Sequence, residues 1–430
     1  MTSLPLNIAI IGAGPGGLTL ARLLQRNNIS FRIFDREASP AVRGQGGTLD
    51  LHPESGQLAL RAAGLYEEFI QRARFEGDCL KLVMPNGTVV LDETAHQADE
   101  CQENKRPEGD RPEIDRLQLR DMLLCSLKPR AVQWAHKLLK VEPYANGSIA
   151  TRETYRLHFI VSEEHYEEGP FDVVIGADGA RSNVRPLLTN QQPFYSGVSL
   201  VELHALDVDE KKEWLANYVG AGSCFMFDKG RAVLAQRNGN GCIRVYACVM
   251  QPEWWFDTCG IDWSTPNAAR KKLVDEYYSD CAGEIKRIIL DADDGLMIRR
   301  LDMLPVGLSW APRGGVTLIG DAAHLMLPFA GEGVNAALHD ALELGQAIIH
   351  GVGKNQGADG VIEELVAYER GMFKRTSSLA QQTWDQVEIC FSRDGAERLV
   401  EIVTARPPME DEEDPKDRDF GTGFISVGKC

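Results

Sequence analysis

Between residues 7 and 35 the chain reads as apolar strand, glycine turn, striped helix and second strand, an order few folds admit. Asn7–Ile11 is a short apolar run, Leu18, Leu20, Leu23 and Leu24 give a helical stripe, and Phe31–Phe34 returns to strand alternation. The turn is G-x-G-x-x-G, built on Gly12, Gly14 and Gly17. In such a loop the first glycine permits the tight turn, the second lets backbone approach a pyrophosphate, and the third lets the helix pack close. The helix N-terminus then faces the anion. This is the first βαβ unit of a dinucleotide-binding fold. Asp35 closes the second strand, placed to accept a ribose 2′-OH, and Arg36 follows it. An acid there disfavours a 2′-phosphate, so the bound nucleotide should be FAD or NAD and not NADP.

Two later stretches narrow the choice. In DVVIGADGARSNVR, Asp178-Gly179 follows the apolar run Val173–Ile175, with Arg181, Ser182 and Arg185 behind it. Alone it reads equally well as a simple turn. In LIGDAAHLMLPFAGEGVNAALHD, Gly320-Asp321 ends the apolar run Val316–Ile319, and Pro328–Asn335 opens a helix whose first amides offer a second anion site. In this order and spacing the three stretches resemble the flavin-dependent aromatic monooxygenases of the para-hydroxybenzoate hydroxylase type. The resemblance implies an α/β fold: a Rossmann-like FAD-binding domain, an inserted, mainly antiparallel β-sheet for the substrate, and C-terminal helices. It implies noncovalent FAD, with Asp178 serving flavin and pyridine-nucleotide contacts and Asp321 holding the ribityl chain. Pro328, Gly331, Gly333 and Asn335 are expected at the flavin. His324 is expected to be a structural hydrogen-bonder and not a base.

RGQGGTLDLH (43–52), PEIDRLQLR (112–120) and GDAAHLMLPFAGEGVN are more similar to the tetracycline-inactivating branch of that family. That likeness places Arg43 near the nicotinamide cosubstrate, NADPH or NADH, and Asp50 and Arg116 at FAD. Arg116 and Arg120 lie four apart, on one helix face, and either could clamp a phosphate; for Arg120 a surface salt bridge is an equal reading. The chain departs from the family at Asp35, where Glu is more usual, and at Glu332, where Gln is usual. The substrate sheet diverges most, with Arg244 and Tyr246 standing where that branch carries His and Gly. Gln236, Arg237, Arg244 and Tyr246 could line a substrate pocket or sit on the solvent face of the sheet.

The organisation expected is discontinuous. Residues 1–76, 105–192 and 301–372 form the FAD-binding domain, and 77–104 with 193–300 the substrate domain. Residues 373–404 form a C-terminal helix and 405–430 an acidic tail. Glu54–Arg72, Arg116–Leu127, Val334–His350 and Val361–Ile402 read as helices, and 132–161 as strands turning at Asn146-Gly147. A hairpin at Met84–Gly87 should join the substrate sheet, which should carry a helix or two.

The net charge of −17 argues against a nucleic-acid or anionic-membrane surface. No apolar run reaches the length of a membrane span, and the first strand starts too near Met1 for a signal peptide. The 10 cysteines show neither CxxC pairs nor zinc spacing, so buried thiols in a reducing cytoplasm are expected, with no metal. A cytoplasmic monomer is the expectation.

The chemistry implied by the resemblance is reduction of the flavin by NAD(P)H, formation of a flavin hydroperoxide with dioxygen, and transfer of one oxygen to an electron-rich planar aromatic, phenolic or polyketide-like substrate. The alternatives are a reductase of the same superfamily without oxygen transfer, a flavin-binding scaffold, and a simple NAD-dependent dehydrogenase. The last would not need the Gly320-Asp321 block.

Overall fold

The computed structural model describes residues 6–40, 46–93, 111–144, 153–293, 295–354 and 356–404. The run Ile8–Ile11 is buried throughout and forms the centre of a five-stranded parallel sheet, ordered 316–318, 173–176, 8–11, 32–34, 132–133. Such unbroken apolar runs suit strands covered on both faces. On one face the helix Pro15–Arg26 lies beside the long helix Gly333–Gly353. Their approach is set by glycines: a Cβ on Gly16 would come 3.1 Å from the Ala337 carbonyl, and one on Gly345 3.1 Å from Leu23. The two helices therefore run parallel, and their N-termini open at the same edge of the sheet. The other face is covered by a three-stranded antiparallel meander, Lys137–Tyr144, Thr154–Val161 and Glu164–Phe171, with Phe159 stacked on Phe34. Its third strand extends past the expected 132–161, and the expected turn at Asn146-Gly147 lies outside the described residues.

A seven-stranded sheet, ordered 296–303, 194–205, 243–250, 231–237, 223–228, 80–83, 89–92, stands over the first. All its pairings are antiparallel except that between 223–228 and 80–83. The Met84–Gly87 hairpin closes as expected, with the Thr88 carbonyl accepting from the Met84 N–H at 2.8 Å. One face, with Val201, Leu203, Val233, Val245 and Ala247, is mainly apolar and needs cover. Among the described residues five helices supply it, including Pro266–Tyr277 and Gly283–Leu290, where one or two were expected. The inner face, with Leu82, Leu200, Ala232, Cys248 and Met303, packs against Leu327, Val387 and Phe391.

Other helices differ in extent from the sequence reading. Glu54–Arg72 is a wide turn, Pro53–Gln57, and two short helices, Leu58–Ala63 and Tyr66–Arg72, broken where Gly64 adopts φ +67°. The helix expected over Val361–Ile402 is two: Ala358–Cys390, which runs straight through residue 372, and Gly395–Thr404. The acidic tail lies outside the described residues. No helix among the described residues is long and apolar enough to cross a membrane.

Candidate active site

The cleft opens where the paired helix N-termini meet the inner face of the large sheet. The three loop glycines are demanded for different reasons. Gly12 has φ +111°, and a Cβ there would sit 2.2 Å from the Ala177 carbonyl; one on Gly17 would sit 2.2 Å from the Gly12 carbonyl. Gly14 meets no protein atom within 4 Å of its Cβ position, and neither do Gly179 and Gly333. No protein contact requires a glycine at 14 or 333. Open space before the first amides of two helices is what close approach of a pyrophosphate requires. The donor set fits FAD.

Acidic groups hold the loop in shape. Asp35 accepts the Ala13 N–H at 2.7 Å and the Glu37 N–H at 2.8 Å, one on each oxygen, each retaining a lone pair for a ribose hydroxyl. Arg36 beside it is solvent-exposed. Arg120, expected as a phosphate clamp or surface bridge, does neither. It is buried, donating to the Ala13 carbonyl at 3.2 Å, the Pro40 carbonyl at 3.2 Å and Glu37 at 2.8 Å. The guanidinium braces the glycine loop, and Glu37, its buried counter-charge, went unnoticed in sequence because surface acids look the same. Arg43 lies outside the described residues.

Asp178 closes its own turn by accepting the Asn183 N–H at 2.7 Å, and burial raises its carboxyl pKa. Arg185, almost wholly buried, donates to the Ala322 carbonyl at 3.0 Å and the Ala180 carbonyl at 2.6 Å. Its charge faces both Asp178 and Asp321 and ties the second motif to the third. Asp321 is open to solvent although protein crowds it on most sides, as befits the floor of a cleft. Desolvation pushes its carboxyl up against the opposing charges of Arg116, His324 and Arg185. His324 bonds Asp340 at 2.5 Å, and Asp340 also accepts from the Gly320 N–H and Arg375. His324 thus pins the turn that carries Asp321, as a structural hydrogen-bonder does.

On the other flank, Asn335 is fully buried and serves as a staple. Its Oδ1 accepts the His52 N–H at 2.9 Å, and its Nδ2 donates to the Asp50 carbonyl at 2.9 Å. The side chain expected at the flavin is spent on the fold. Pro328 is exposed at the start of a short turn, and Gly331, at φ +70°, lies against the Asp50 carboxylate. Arg116 opens the helix Arg116–Cys125, covers Gly46, and lies within electrostatic reach of Asp321 and Tyr246. It is the cation between the cofactor floor and the substrate sheet.

Strand parity separates the four proposed pocket residues. Gln236 pairs with Arg244 and Leu234 with Tyr246 across adjacent strands, on the inner face. A Cβ on Gly47 would meet the Tyr246 hydroxyl at 2.8 Å and Gln236 at 3.2 Å, so the loop before Thr48–Asp50 touches this face. Arg237 points the other way, to Asp209 and the helix Glu213–Val219, and leaves the pocket. Arg244 is on the inner face but committed: Nη1 donates to Glu202 at 2.6 Å and lies 2.9 Å from His204 Nε2. Burial opposes ionisation of Glu202, yet His204, Arg299 and Arg244 together hold its carboxyl down to about 2. Tyr246 and Gln236 have no side-chain hydrogen bond to the described residues. Burial, reinforced by Glu202, pushes the Tyr246 phenol up to about 12, so at neutral pH it is a donor. The inner face thus offers an apolar stretch ending in two uncommitted polar groups.

The family model described as "FAD binding domain" matches residues 6–103 and 170–370. The monooxygenase penA of Penicillium thymicola is 30% identical over 445 residues, covering 92% of this chain and 98% of its own length. The FAD complex of a single-substitution variant of HpxO from Klebsiella pneumoniae superposes with a TM-score of 0.68 at 19% identity, covering 93% of each chain. The tetracycline destructase Tet(51) superposes with a TM-score of 0.63 at 16% identity, covering 95% of this chain and 100% of its own, a likeness of fold alone.

Proposed function

Since the chain belongs to the FAD-binding-domain family and is a flavin-dependent monooxygenase, we propose that it uses NAD(P)H and dioxygen to hydroxylate an electron-rich planar aromatic, phenolic or polyketide-like small molecule. The observation that carries the substrate class is the inner face of the large sheet: the partly buried Phe225 and Leu234 stand beside Tyr246 and Gln236, with Arg116 and Asp321 within electrostatic reach of one another nearby. An apolar slot with a few convergent polar groups suits a flat ring system with one polar edge.

When bound, FAD supplies the electron transfer and the activation of dioxygen. The chain's residues supply the rest. Gly12–Gly17 and Gly333–Asn335 present amides to the pyrophosphate, and Asp321 accepts from the ribityl hydroxyls. The Tyr246 hydroxyl donates to the substrate oxygen as negative charge develops there, and the Gln236 amide fixes the edge. Arg244 is a positioning residue: through Glu202 and His204 it holds the strands that aim Tyr246 and Gln236. The packed inner face excludes water from the reacting carbon.

The test is a screen of planar phenols and polyketides with the FAD-loaded protein. An accepted substrate stimulates NAD(P)H oxidation and gains one oxygen atom from dioxygen, traced with the heavy isotope. Stimulated oxidation of NAD(P)H with no labelled product from any of them would overturn the assignment.

A further inference from the structure

The flank of the cleft opposite Asp321 holds titratable groups with no task in the reaction as described. His52 is buried, its Nε2 2.9 Å from Asp50 Oδ2, its Nδ1 3.7 Å from Glu332 Oε2 and 3.9 Å from Glu54 Oε1. Asn335 pins the His52 backbone, so the ring stays bracketed by carboxylates. The charged groups facing Glu332 are His52, Arg111, Asp50 and Glu54. Three carboxylates gathered round one imidazole and one arginine concentrate negative charge at this point. Burial raises the Glu332 carboxyl pKa, with Asp50 and Glu54 adding to the effect and His52 and Arg111 opposing it.

Position gives this cluster its meaning. Glu332 immediately precedes the helix Gly333–Gly353 and follows Leu327 and Phe329, which pack against the inner face of the substrate sheet. It stands where the cofactor half meets the substrate half, the place from which a flavin can reach a substrate held on that face. Stoichiometry gives it work. Converting C–H, dioxygen and one hydride into C–OH and water consumes one proton beyond the hydride. The oxygen atom that leaves as water needs it.

We propose that Asp50, His52 and Glu332 store that proton, taking it from solvent as the flavin is reduced and releasing it to the departing water. Two electrons and one proton, together the hydride of NAD(P)H, convert the oxidised flavin to a reduced flavin bearing one negative charge. That charge raises the proton affinity of the facing carboxylates, and the Glu332 carboxylate, through His52, binds one proton from solvent. Oxygen transfer restores the oxidised flavin, and the cluster gives its proton up.

The test is an equilibrium redox titration of the FAD-loaded full chain against a dye of known potential, across roughly pH 6–8. The slope of potential against pH counts protons bound per two electrons, and the reduced-flavin spectrum reports whether the ring itself is anionic. The expected result is two protons with an anionic ring in the native chain, falling to one in Glu332→Gln and in His52→Asn with flavin still bound. A slope of one proton in the native chain overturns the proposal without recourse to any variant. So does a neutral reduced ring, or a slope of two that persists in Glu332→Gln. The measurement uses no substrate, so failure of the substrate assignment leaves it untouched.

Discussion

At the scale of single residues, the site divides into groups that hold the fold and groups left over for ligands. Asp321 is of the second kind. Asp321→Ala should leave ribityl donors unpaired and cost about 1–3 kcal/mol, roughly a ten- to hundredfold loss of FAD affinity. Flavin fluorescence titration checks this; unchanged affinity in a folded variant would reduce the Gly320-Asp321 turn to scaffolding. Tyr246 is the other such group. Tyr246→Phe should retain FAD and lower product formation by about tenfold or more while peroxide release rises, because a donor to developing charge is lost. Full coupling of NAD(P)H oxidation to product in that variant would place the substrate's polar edge elsewhere. Arg244, on the same face, carries a guanidinium that could match a phenolate. Its Nη1 is engaged by Glu202, 42 residues away and legible only once the strands are paired.

At the scale of elements, the glycine loop is held from outside as much as from within. Arg120→Ala would remove the guanidinium that ties Glu37 to the loop carbonyls, and the loss of hydrogen bonds to a charged group typically costs about 1.5–3 kcal/mol. A large drop in denaturation midpoint together with weakened FAD binding is expected; a stable variant with normal FAD binding would show that the loop needs no brace. The loop itself was legible because its glycines and flanking apolar runs are local signals, and so were the strand before Gly12 and the helix after Gly333. Face assignments were not. Gln236 and Arg237 are adjacent and equally polar, and only pairing parity sends one to the cleft and the other to Asp209. The staple by Asn335 spans 283 residues to His52, beyond any periodicity. The helix cover of the outer face was underestimated because short helices such as Glu213–Val219 carry too few turns to show a stripe.

At the scale of the whole molecule, one polar cluster fastens the two halves. Arg74 donates to Asp115 at 3.2 Å and Thr48 at 2.9 Å, while Asp115 accepts from Asn238 and Gly239 in the turn of the large sheet. Glu113 lies in the same cluster, and burial pushes its carboxyl up to about 8, with Arg74 and Thr48 only partly countering. The folded protein therefore keeps a proton that the unfolded chain releases near 4.5, so this group's contribution to stability falls as pH rises from there through about 8. Glu113→Gln should be nearly neutral at acid pH and more stable than the native chain above about pH 8, by up to about 5 kcal/mol. Denaturant midpoints at the two pH values decide it; an equal gap at both would mean that Glu113 does not titrate there. The parallel sheet adds a constraint of a different kind, one of time. Its central strand, Ile8–Ile11, is made before the others and pairs on one side with 32–34, which follows closely, but its neighbour on the other side, at 173–176, comes far later, and that strand's own partner only at 316–318. Until 173–176 and 316–318 have been made, one side of the central strand stays unpaired, and the second helix N-terminus comes later still. Cofactor capture between the two helix N-termini is therefore a late event in biosynthesis.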